Sequence, residues 1–483
     1  TDLEKARGRC SVIAVPDTLL GLHAVAAAWR ARFSPLVVGV TGSVGKTSTK
    51  DGIYAALAQN FSVRKSEKSF NSEIGLPLTI LGRPNAWQNP LRWIENIIDG
   101  LSLIVFRTDY PEWLVLEIGA DRPGDIRSIA KWLPVDVAVI TRLPEVPVHV
   151  EYFSSPEEVA EEKAAIISAL KPDGTLILFA DDERVLALGG RAEDTVNVMT
   201  FGTNEDATVR GDNPHVLYGD DAYKSPIGME VDVVVNTNNS QKHLQMLGAQ
   251  TKSSEPYSTY GERDFAQRNN ADEGVFANYH AHIVGSAGIH SLLPLIAAAA
   301  VGTALKVPLS QTITSFESHY VPPQGRMRII TGINDSTLID DTYNASPAAV
   351  IAAIETLGSL KTDGRRVAIL GDMLELGTYS VSEHRKVGES AARNIDTLVT
   401  VGLRARDIAA AALAAGFPES HVMQFESSND AAEALPSLVR AGDIVLIKGS
   451  QSMRMERTTK ALMRDPQQAS ILLVRQEAEW GKR

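Results

Sequence analysis

One stretch near the amino end restricts the fold more than any other part of this 483-residue chain. An apolar run rich in β-branched residues, Val37–Val40, leads into a glycine turn, after which a helical pattern begins. The turn and helix start read Gly42, Ser43, Val44, Gly45, Lys46, Thr47 and Ser48. Glycines let backbone N–H groups point at an anion, and the first turn of a helix carries partial positive charge. This order of strand, turn and helix predicts a site for the phosphates of a nucleoside triphosphate.

Two side chains of the turn fit that chemistry. Lys46 is placed to neutralise the β- and γ-phosphate oxygens, and the Thr47 hydroxyl is placed to bind Mg²⁺. The turn departs from the usual phosphate loop, because two residues separate Gly42 from Gly45 where four are usual. A plain turn between strand and helix is the alternative, and the order of elements favours the phosphate site.

Composition excludes several classes of protein. The formal net charge of −12 argues against nonspecific binding of nucleic acid. The single cysteine, Cys10, excludes an intrachain disulfide and suits a reducing cytoplasm. No apolar run approaches the length of a membrane span; the nearest, Leu101–Phe106, predicts a packed helix, with a membrane-surface helix as the alternative. We expect a cytoplasmic monomer with no nucleic-acid partner and no membrane span.

Strand-like and helix-like segments alternate from residue 35 onward, which predicts an α/β fold. The strand candidates are Leu36–Val40, Trp113–Ile118, Val135–Ile140, Leu176–Phe179, Ser336–Ile339, Arg366–Leu370, Thr397–Val401 and Ile444–Ile447. The helix candidates are Asp51–Ala58, Gly124–Trp132, Pro156–Leu170 and Ile289–Val301. We expect a remnant or linker (1–34), a central P-loop ATPase domain with a mainly parallel sheet (35–321, with a polar insertion at about 236–273), and a Rossmann-like α/β C-terminal domain (322–483).

Several blocks, in their order along the chain, resemble the Mur ligase family. They are Thr41–Thr47, Asn71–Pro77, Leu116–Ala120, His149–Glu151, the helix with Lys163, Ala180–Asp182, Gly325–Arg326, Asp340–Pro347, Leu370–Gly377, Lys448–Ser450 and Met453–Glu456. The resemblance implies an ATP- and Mg²⁺-dependent ligase that forms an amide bond through an acyl phosphate. It implies small-molecule substrates, a UDP-muramoyl-peptide and the dipeptide D-alanyl-D-alanine, and a place in peptidoglycan synthesis.

The resemblance also implies roles for single residues. The residues implied for catalysis are Lys46, His149, Lys163 and Arg326. The residues implied for nucleotide binding, besides the phosphate loop, are Asn71, Asp341 and Asn344, with a solvated or shaped turn as the alternative for each. The residues implied for metal binding are Thr47, Glu117, His149 and Lys163; a structural histidine is the alternative for His149, and the family often carbamylates the lysine at the position of Lys163. Glu117 ends an apolar strand, where α/β proteins place ligands, although a loop or capping acid is the alternative. His149 and Glu151 would share one face of an extended segment. Lys163 falls on the apolar side of its helix, and a lysine reaching from the helix edge is the alternative.

Departures from the family leave the acceptor open. The phosphate loop starts only some forty residues from Thr1, so we expect the family's UDP-binding domain to be absent or to lie outside this chain. The family has other residues at the positions of Arg142, Phe179, Ser291 and Pro294. A ligase that extends a poly-glutamyl or folyl acceptor and a catalytically silent nucleotide-binding scaffold therefore remain alternatives. Lys448 and Ser450 follow a strand and would contact substrate or phosphate, with loop capping as the alternative; Asp372 and His384 are weaker candidates.

Overall fold

The computed structural model describes residues 15–67, 71, 73–83, 109–236, 276–477 and 480. The predicted packed helix at Leu101–Phe106 and nearly all of the polar insertion at about 236–273 lie outside these residues, as does Cys10.

The first sheet has nine strands and is parallel over most of its width. Its strands are β1 (Leu36–Thr41), β2 (Val63–Lys65), β3 (Trp113–Glu117), β4 (Val135–Ile140), β5 (Leu170–Phe179), β6 (Asn197–Gly202), β7 (Val209–Tyr218), β8 (Pro226–Asn236) and β9 (Phe276–Val284). Their order is β2-β3-β1-β4-β5-β6-β7-β8-β9, and only β7, β8 and β9 pair antiparallel. The phosphate-loop strand β1 therefore lies between two parallel neighbours, buried on both faces as its apolar sequence predicts.

Eight helices in the described part of the chain accompany this sheet. They are α1 (Thr18–Phe33), α2 (Lys46–Leu57), α3 (Gly75–Leu81), α4 (Asp125–Ala130), α5 (Pro156–Ala164), α6 (Glu183–Leu186), α7 (Leu293–Ala304) and α8 (Leu309–His319). Helix α2 packs against α7 and α8. A Cβ on Gly52 of α2 would lie 2.7 Å from the Pro294 carbonyl oxygen, so the helices approach closely. This packing fixes the axis of α2, whose first turn follows the phosphate loop.

The second sheet has six strands in the order β10-β11-β15-β12-β13-β14. Its elements are β10 (Arg328–Thr331), β11 (Thr337–Asp341), α9 (Pro347–Ser359), β12 (Arg366–Gly371), α10 (Ser380–Asn394), β13 (Thr397–Val401), α11 (Arg406–Ala414), β14 (Val422–Phe425), α12 (Ser428–Ala434), β15 (Ile444–Lys448), α13 (Glu456–Leu462) and α14 (Ala469–Leu472). All pairs are parallel except β10 with β11. The two α/β sheets confirm the predicted fold class.

Several predicted boundaries were wrong, for identifiable reasons. Helix α2 begins at Lys46, five residues before the predicted start, because the polar Lys-Thr-Ser-Thr segment has no apolar period to reveal it. Helix α5 ends at Ala164, and a 3₁₀ turn, Ala165–Ala169, follows. Helix α7 starts at Leu293, four residues after the predicted start, because Pro294 is accommodated only in the first turn of a helix. None of the helices in the described part of the chain has the length and apolar character needed to span a bilayer.

Candidate active site

The phosphate loop is held from the side by the end of β4. The Ser43 and Val44 amides donate to the Arg142 carbonyl oxygen (3.0 and 3.4 Å), and the Thr141 hydroxyl donates to the Val44 carbonyl oxygen (2.7 Å). Gly42 has φ +138°, and a Cβ there would lie 2.0 Å from Thr141 Oγ1. Only glycine fits that position.

The helix start beside the loop is open toward the cleft. Gly45 has φ +89°, and a Cβ on it would meet nothing within 4 Å. Lys46 Nζ folds back to donate to the Gly42 carbonyl oxygen at 2.8 Å. Burial lowers the pKa of Lys46; Glu117 opposes the shift, and the charge of Arg326 adds to it. An ammonium group buried near a guanidinium is a favourable place for an anion.

Glu117 ends β3 inside the cleft and is only 2% exposed. Its backbone N–H donates to Ser66 Oγ (3.2 Å), and its Oε1 accepts from Asn71 Nδ2 (3.3 Å). Its Oε2 is buried and has no hydrogen-bond partner among the described residues. A buried carboxylate oxygen without a partner is costly, and a bound cation would satisfy it.

Lys163 lies on α5 and is 3% exposed. Its Nζ donates to the Ala120 carbonyl oxygen at 2.9 Å. Burial lowers the pKa of Lys163 to about 7, and the charge of Lys46 acts in the same direction. The neighbouring Glu162 caps the start of α4, accepting from the Gly124, Ile126 and Arg127 amides, so it is not free to neutralise Lys163 fully.

His149 has a different local geometry from the predicted one. It takes a left-handed conformation (φ +66°), and Val150–Tyr152 form a 3₁₀ turn. The predicted shared face with Glu151 was wrong, because this turn leaves Glu151 exposed. The His149 ring lies between two other acids, with Nδ1 2.6 Å from Glu375 Oε2 and Nε2 3.6 Å from Asp121 Oδ1.

Arg326 reaches the same cleft from the segment that leads into the second sheet. Its guanidinium carbon lies 4.1 Å from the centre of the Tyr343 ring. The Tyr343 amide donates to the Gly325 carbonyl oxygen at 3.1 Å, which holds the two segments together. Arg326 Nε is buried without a hydrogen-bond partner in the described structure. This leaves the guanidinium available to a ligand.

Asp341 and Lys448 form a buried ion pair at the ends of β11 and β15. Lys448 Nζ lies 2.6 Å from Asp341 Oδ2 and donates to the Asn344 carbonyl oxygen at 2.9 Å. Burial lowers the pKa of Lys448, and Asp341 opposes that shift. The pair therefore shapes the turn that brings Asn344 into the cleft.

Most of these groups line one cleft between the two sheets. Its walls include Ser43, Val44, Gly45, Lys46, Thr47, Asn71, Glu117, Asp121, His149, Arg326, Tyr343, Asn344 and Lys448. Lys163 is not among the wall residues. It is connected to the site by the hydrogen bond that its Nζ donates to the Ala120 carbonyl oxygen. Sequence reasoning missed Asp121 and Tyr343. The only local signal for Asp121 was its place just after a strand end.

A second, mainly apolar pocket adjoins the loop at Gly45 and Ser48. Phe179 and Phe201, with ring centres 5.5 Å apart, form part of its wall together with Pro294 and His290. Burial lowers the pKa of His290, which favours the neutral imidazole. An apolar slot with a few polar groups beside a phosphate loop is suited to a nucleoside.

Two weaker candidates have structural partners instead. Asp372 Oδ1 accepts from the Ala405 amide at 2.7 Å. His384 Nε2 accepts from the Met373 amide (3.0 Å) while Nδ1 contacts the Ser380 carbonyl oxygen (2.7 Å), which fixes one neutral tautomer. The Ser450 hydroxyl accepts from the Leu374 amide (2.8 Å), and Ser450 lines a neighbouring groove.

Comparisons with known proteins point to one family. Residues 95–253 match the Mur ligase middle domain, and residues 325–451 match the Mur ligase, glutamate ligase domain. The chain is 28% identical over 457 residues to UDP-N-acetylmuramoyl-tripeptide--D-alanyl-D-alanine ligase of Bacillus subtilis, covering 94% of this chain and 82% of that protein.

Solved structures share the fold. MurF ligase from Thermotoga maritima in complex with ADP superposes with a TM-score of 0.69 at 24% identity, covering 95% of this chain and 88% of that chain. MurF from Acinetobacter baumannii gives a TM-score of 0.69 at 22% identity, covering 94% and 82%. These structures share the fold, and the two domain matches show that the chain belongs to the Mur ligase family of ATP-dependent ligases.

Proposed function

We propose that this chain joins D-alanyl-D-alanine to the peptide of a UDP-muramoyl-tripeptide, with ATP as the energy source. The observation that supports this most is that Lys46, from the phosphate loop, and Arg326, from the segment that leads into the second sheet, line one cleft. Two cationic side chains at one cleft suit the phosphate chain of a nucleotide, even though Glu117 and Asp121 line the same cleft. The named activity of the Bacillus subtilis relative supplies the substrates.

The first step is transfer of the γ-phosphoryl group to a substrate carboxylate. The carboxylate oxygen forms a bond to the γ-phosphorus, the bond to the β,γ-bridging oxygen breaks, and ADP leaves. Lys46 and Arg326 would stabilise the charge on the transferring group, and backbone N–H groups of the turn would orient the phosphates. The apolar pocket beside Gly45 and Ser48 would hold the nucleoside.

Magnesium fits the residues present. No group of three or more His, Cys, Asp and Glu side chains within the described ranges could hold a metal by itself. Mg²⁺ commonly binds through one or two carboxylates together with phosphates and water, and the unpartnered Glu117 Oε2 and the Thr47 hydroxyl supply such oxygens. We propose Glu117 and Thr47 for one ion and His149 with Lys163 as a carbamate for another. The ion supplies charge neutralisation for phosphoryl transfer when bound.

The second step forms the amide. The dipeptide amine attacks the acyl phosphate carbon, a tetrahedral intermediate collapses, inorganic phosphate leaves, and the nitrogen loses a proton. Arg326, with its unpartnered Nε, would stabilise the leaving phosphate. The cleft lies between the two sheets, so closure over the substrates would exclude water from the acyl phosphate.

One assay tests the proposal. The protein is incubated with ATP, Mg²⁺, UDP-muramoyl-tripeptide and D-alanyl-D-alanine, and phosphate release is compared with product mass. Both signals should appear together and should fall at least a hundredfold in Lys46→Ala. The matched control is Lys131→Ala, because Lys131 is an exposed lysine outside the cleft. Phosphate release only with a glutamate or folyl acceptor, or nucleotide binding without turnover, would refute the proposed substrates.

A further inference from the structure

A buried cluster near the carboxyl end supports the turn that carries Tyr343 into the cleft. Arg475 has a side chain that is only 5% exposed, and it pairs with Glu456, which is 1% exposed. Both lie beyond residues 325–451, the range matched by the C-terminal family domain. Glu456 ends the resembling block Met453–Glu456 but had no role assigned to it, and Arg475 lies outside every resembling block.

Arg475 contacts the backbone of the turn directly. Its Nη1 donates to the Thr342 carbonyl oxygen (3.0 Å) and to Glu456 Oε2 (3.0 Å), and its Nη2 donates to the Tyr343 carbonyl oxygen. One planar guanidinium thus joins two consecutive carbonyl groups to one carboxylate. A lysine cannot reproduce this fork.

Glu456 is fully used in holding this arrangement. Its second oxygen, Oε1, lies 2.5 Å from Arg454 Nε, and Arg454 Nη1 donates to the Trp480 carbonyl oxygen at 2.9 Å. Arg475 also has a left-handed backbone conformation, with φ +59°. A left-handed conformation at a residue other than glycine persists only where the surroundings enforce it.

The turn connects this cluster to the cleft. The Arg475 guanidinium carbon lies 5.8 Å from the centre of the Tyr343 ring, and that of Arg326 lies 4.1 Å from it. Tyr343 is therefore the group through which a buried arginine at the carboxyl end contacts an arginine in the cleft.

We infer that Arg475, held by Glu456, is a positioning residue that fixes the Tyr343 turn so that Arg326 is aimed at the phosphates. This inference rests on the proposed function of Arg326. It makes the carboxyl-terminal segment part of the nucleotide site, although Arg475 touches no substrate.

The test compares Arg475→Lys and Glu456→Gln with a matched control. Arg365→Lys is that control, because Arg365 makes a similar fork to Asp443 (2.6 and 3.1 Å) at the start of β12, the strand end away from the cleft. The affinities for ADP and for a non-hydrolysable ATP analogue are measured by calorimetry, together with kcat/KM for ATP and thermal unfolding.

Arg475→Lys should lower kcat/KM roughly ten- to a hundredfold, and Glu456→Gln somewhat less, with a smaller effect on unfolding than on turnover. In an Arg326→Ala background, Arg475→Lys should cause less than about a twofold further loss of affinity for the ATP analogue, because residues that act through each other are not additive. An equal loss with and without Arg326, or a loss no larger than in Arg365→Lys, would overturn the inference. Calorimetry needs no acceptor, so wrong acceptor substrates would not affect this result.

Discussion

The His149 imidazole lies 2.6 Å from the Glu375 carboxylate, and both residues have a left-handed backbone conformation, with φ of +66° and +62°. Strained residues that meet in a cleft are common at functional sites. The contact joins the loop after β4 of the first sheet to the loop after β12 of the second. The adjacent imidazole also lowers the pKa of Glu375, which favours the charged carboxylate.

The first prediction concerns Mg²⁺ binding by His149. A histidine ligand is commonly oriented by a carboxylate on its other ring nitrogen, and the loss of that partner weakens metal binding roughly 10–100-fold. We expect His149→Ala to raise the Mg²⁺ concentration for half-maximal phosphate release, and Glu375→Gln to raise it less. His421→Ala, at an exposed site, is the control. An unchanged Mg²⁺ requirement in both variants would exclude His149 as a ligand.

The second prediction concerns Lys163. Its pKa of about 7 leaves much of the amine uncharged at neutral pH, and the uncharged amine is the form that reacts with CO₂. We expect activity to fall in CO₂-free buffer and to return with bicarbonate, and we expect Lys163→Met to be at least about a hundredfold less active.

The control for Lys163 is the same CO₂ removal applied to Lys163→Met, which should show no response. A wild-type protein whose activity ignores bicarbonate, with no ¹³C carbamate signal after labelling, would contradict the carbamate.

The sequence predicted the buried strands of the two sheets best. The strands β1, β3, β4 and β15 were located to within about a residue, because apolar β-branched runs between polar turns have few alternatives. The phosphate loop could also be predicted, because a glycine at the end of a strand often marks a position where a side chain has no room. A Cβ at Gly42 has no room beside Thr141.

The sequence did not predict which loops contact one another in the folded chain. Tyr343, Glu375 and Arg475 are far apart along the chain, and no local period relates them to Arg326 or His149. The prediction that His149 and Glu151 share one face was wrong. His149 is left-handed and a 3₁₀ turn follows it, and the residues of this segment do not distinguish that conformation from an extended one. Such contacts depend on tertiary packing, which a single sequence does not display.

The third prediction concerns the pH dependence of stability. Burial raises the pKa of Asp340 to about 6, although Thr342 and Thr459 donate to its Oδ1 (2.8 and 3.0 Å). Its Oδ2 has no hydrogen-bond partner in the described part of the chain. A raised pKa means that the folded state binds the proton more tightly. The Asp340 contribution to stability is thus fully present below about pH 4 and is lost as the pH rises through about 6.

We expect Asp340→Asn to be more stable than the wild type above pH 6, by at most about 3 kcal/mol, and the difference to shrink toward pH 4. Chemical unfolding at a series of pH values measures this. Asp363→Asn, at an exposed site, should show no such trend. A variant that loses stability equally at every pH would refute the raised pKa.

The fourth prediction tests the phosphate loop through Gly42. The added Cβ of Gly42→Ala would lie 2.0 Å from Thr141 Oγ1, and alanine disfavours the φ of +138°. Thr141 would have to move, and its hydrogen bond to the Val44 carbonyl oxygen (2.7 Å) would break. We expect a loss of stability of about 1–3 kcal/mol and a far larger loss of ADP affinity, because the loop amides would no longer converge on the phosphates.

Gly190→Ala is the matched control for Gly42→Ala, since a Cβ at Gly190 would meet nothing within 4 Å and its backbone conformation is open to other residues. Calorimetry with ADP and thermal unfolding separate the two effects. Gly190→Ala should bind ADP as the wild type does. If Gly42→Ala bound ADP with unchanged affinity, the turn at Gly42 would not form the phosphate site, because a loop displaced by its own alanine could not hold the same anion in the same way.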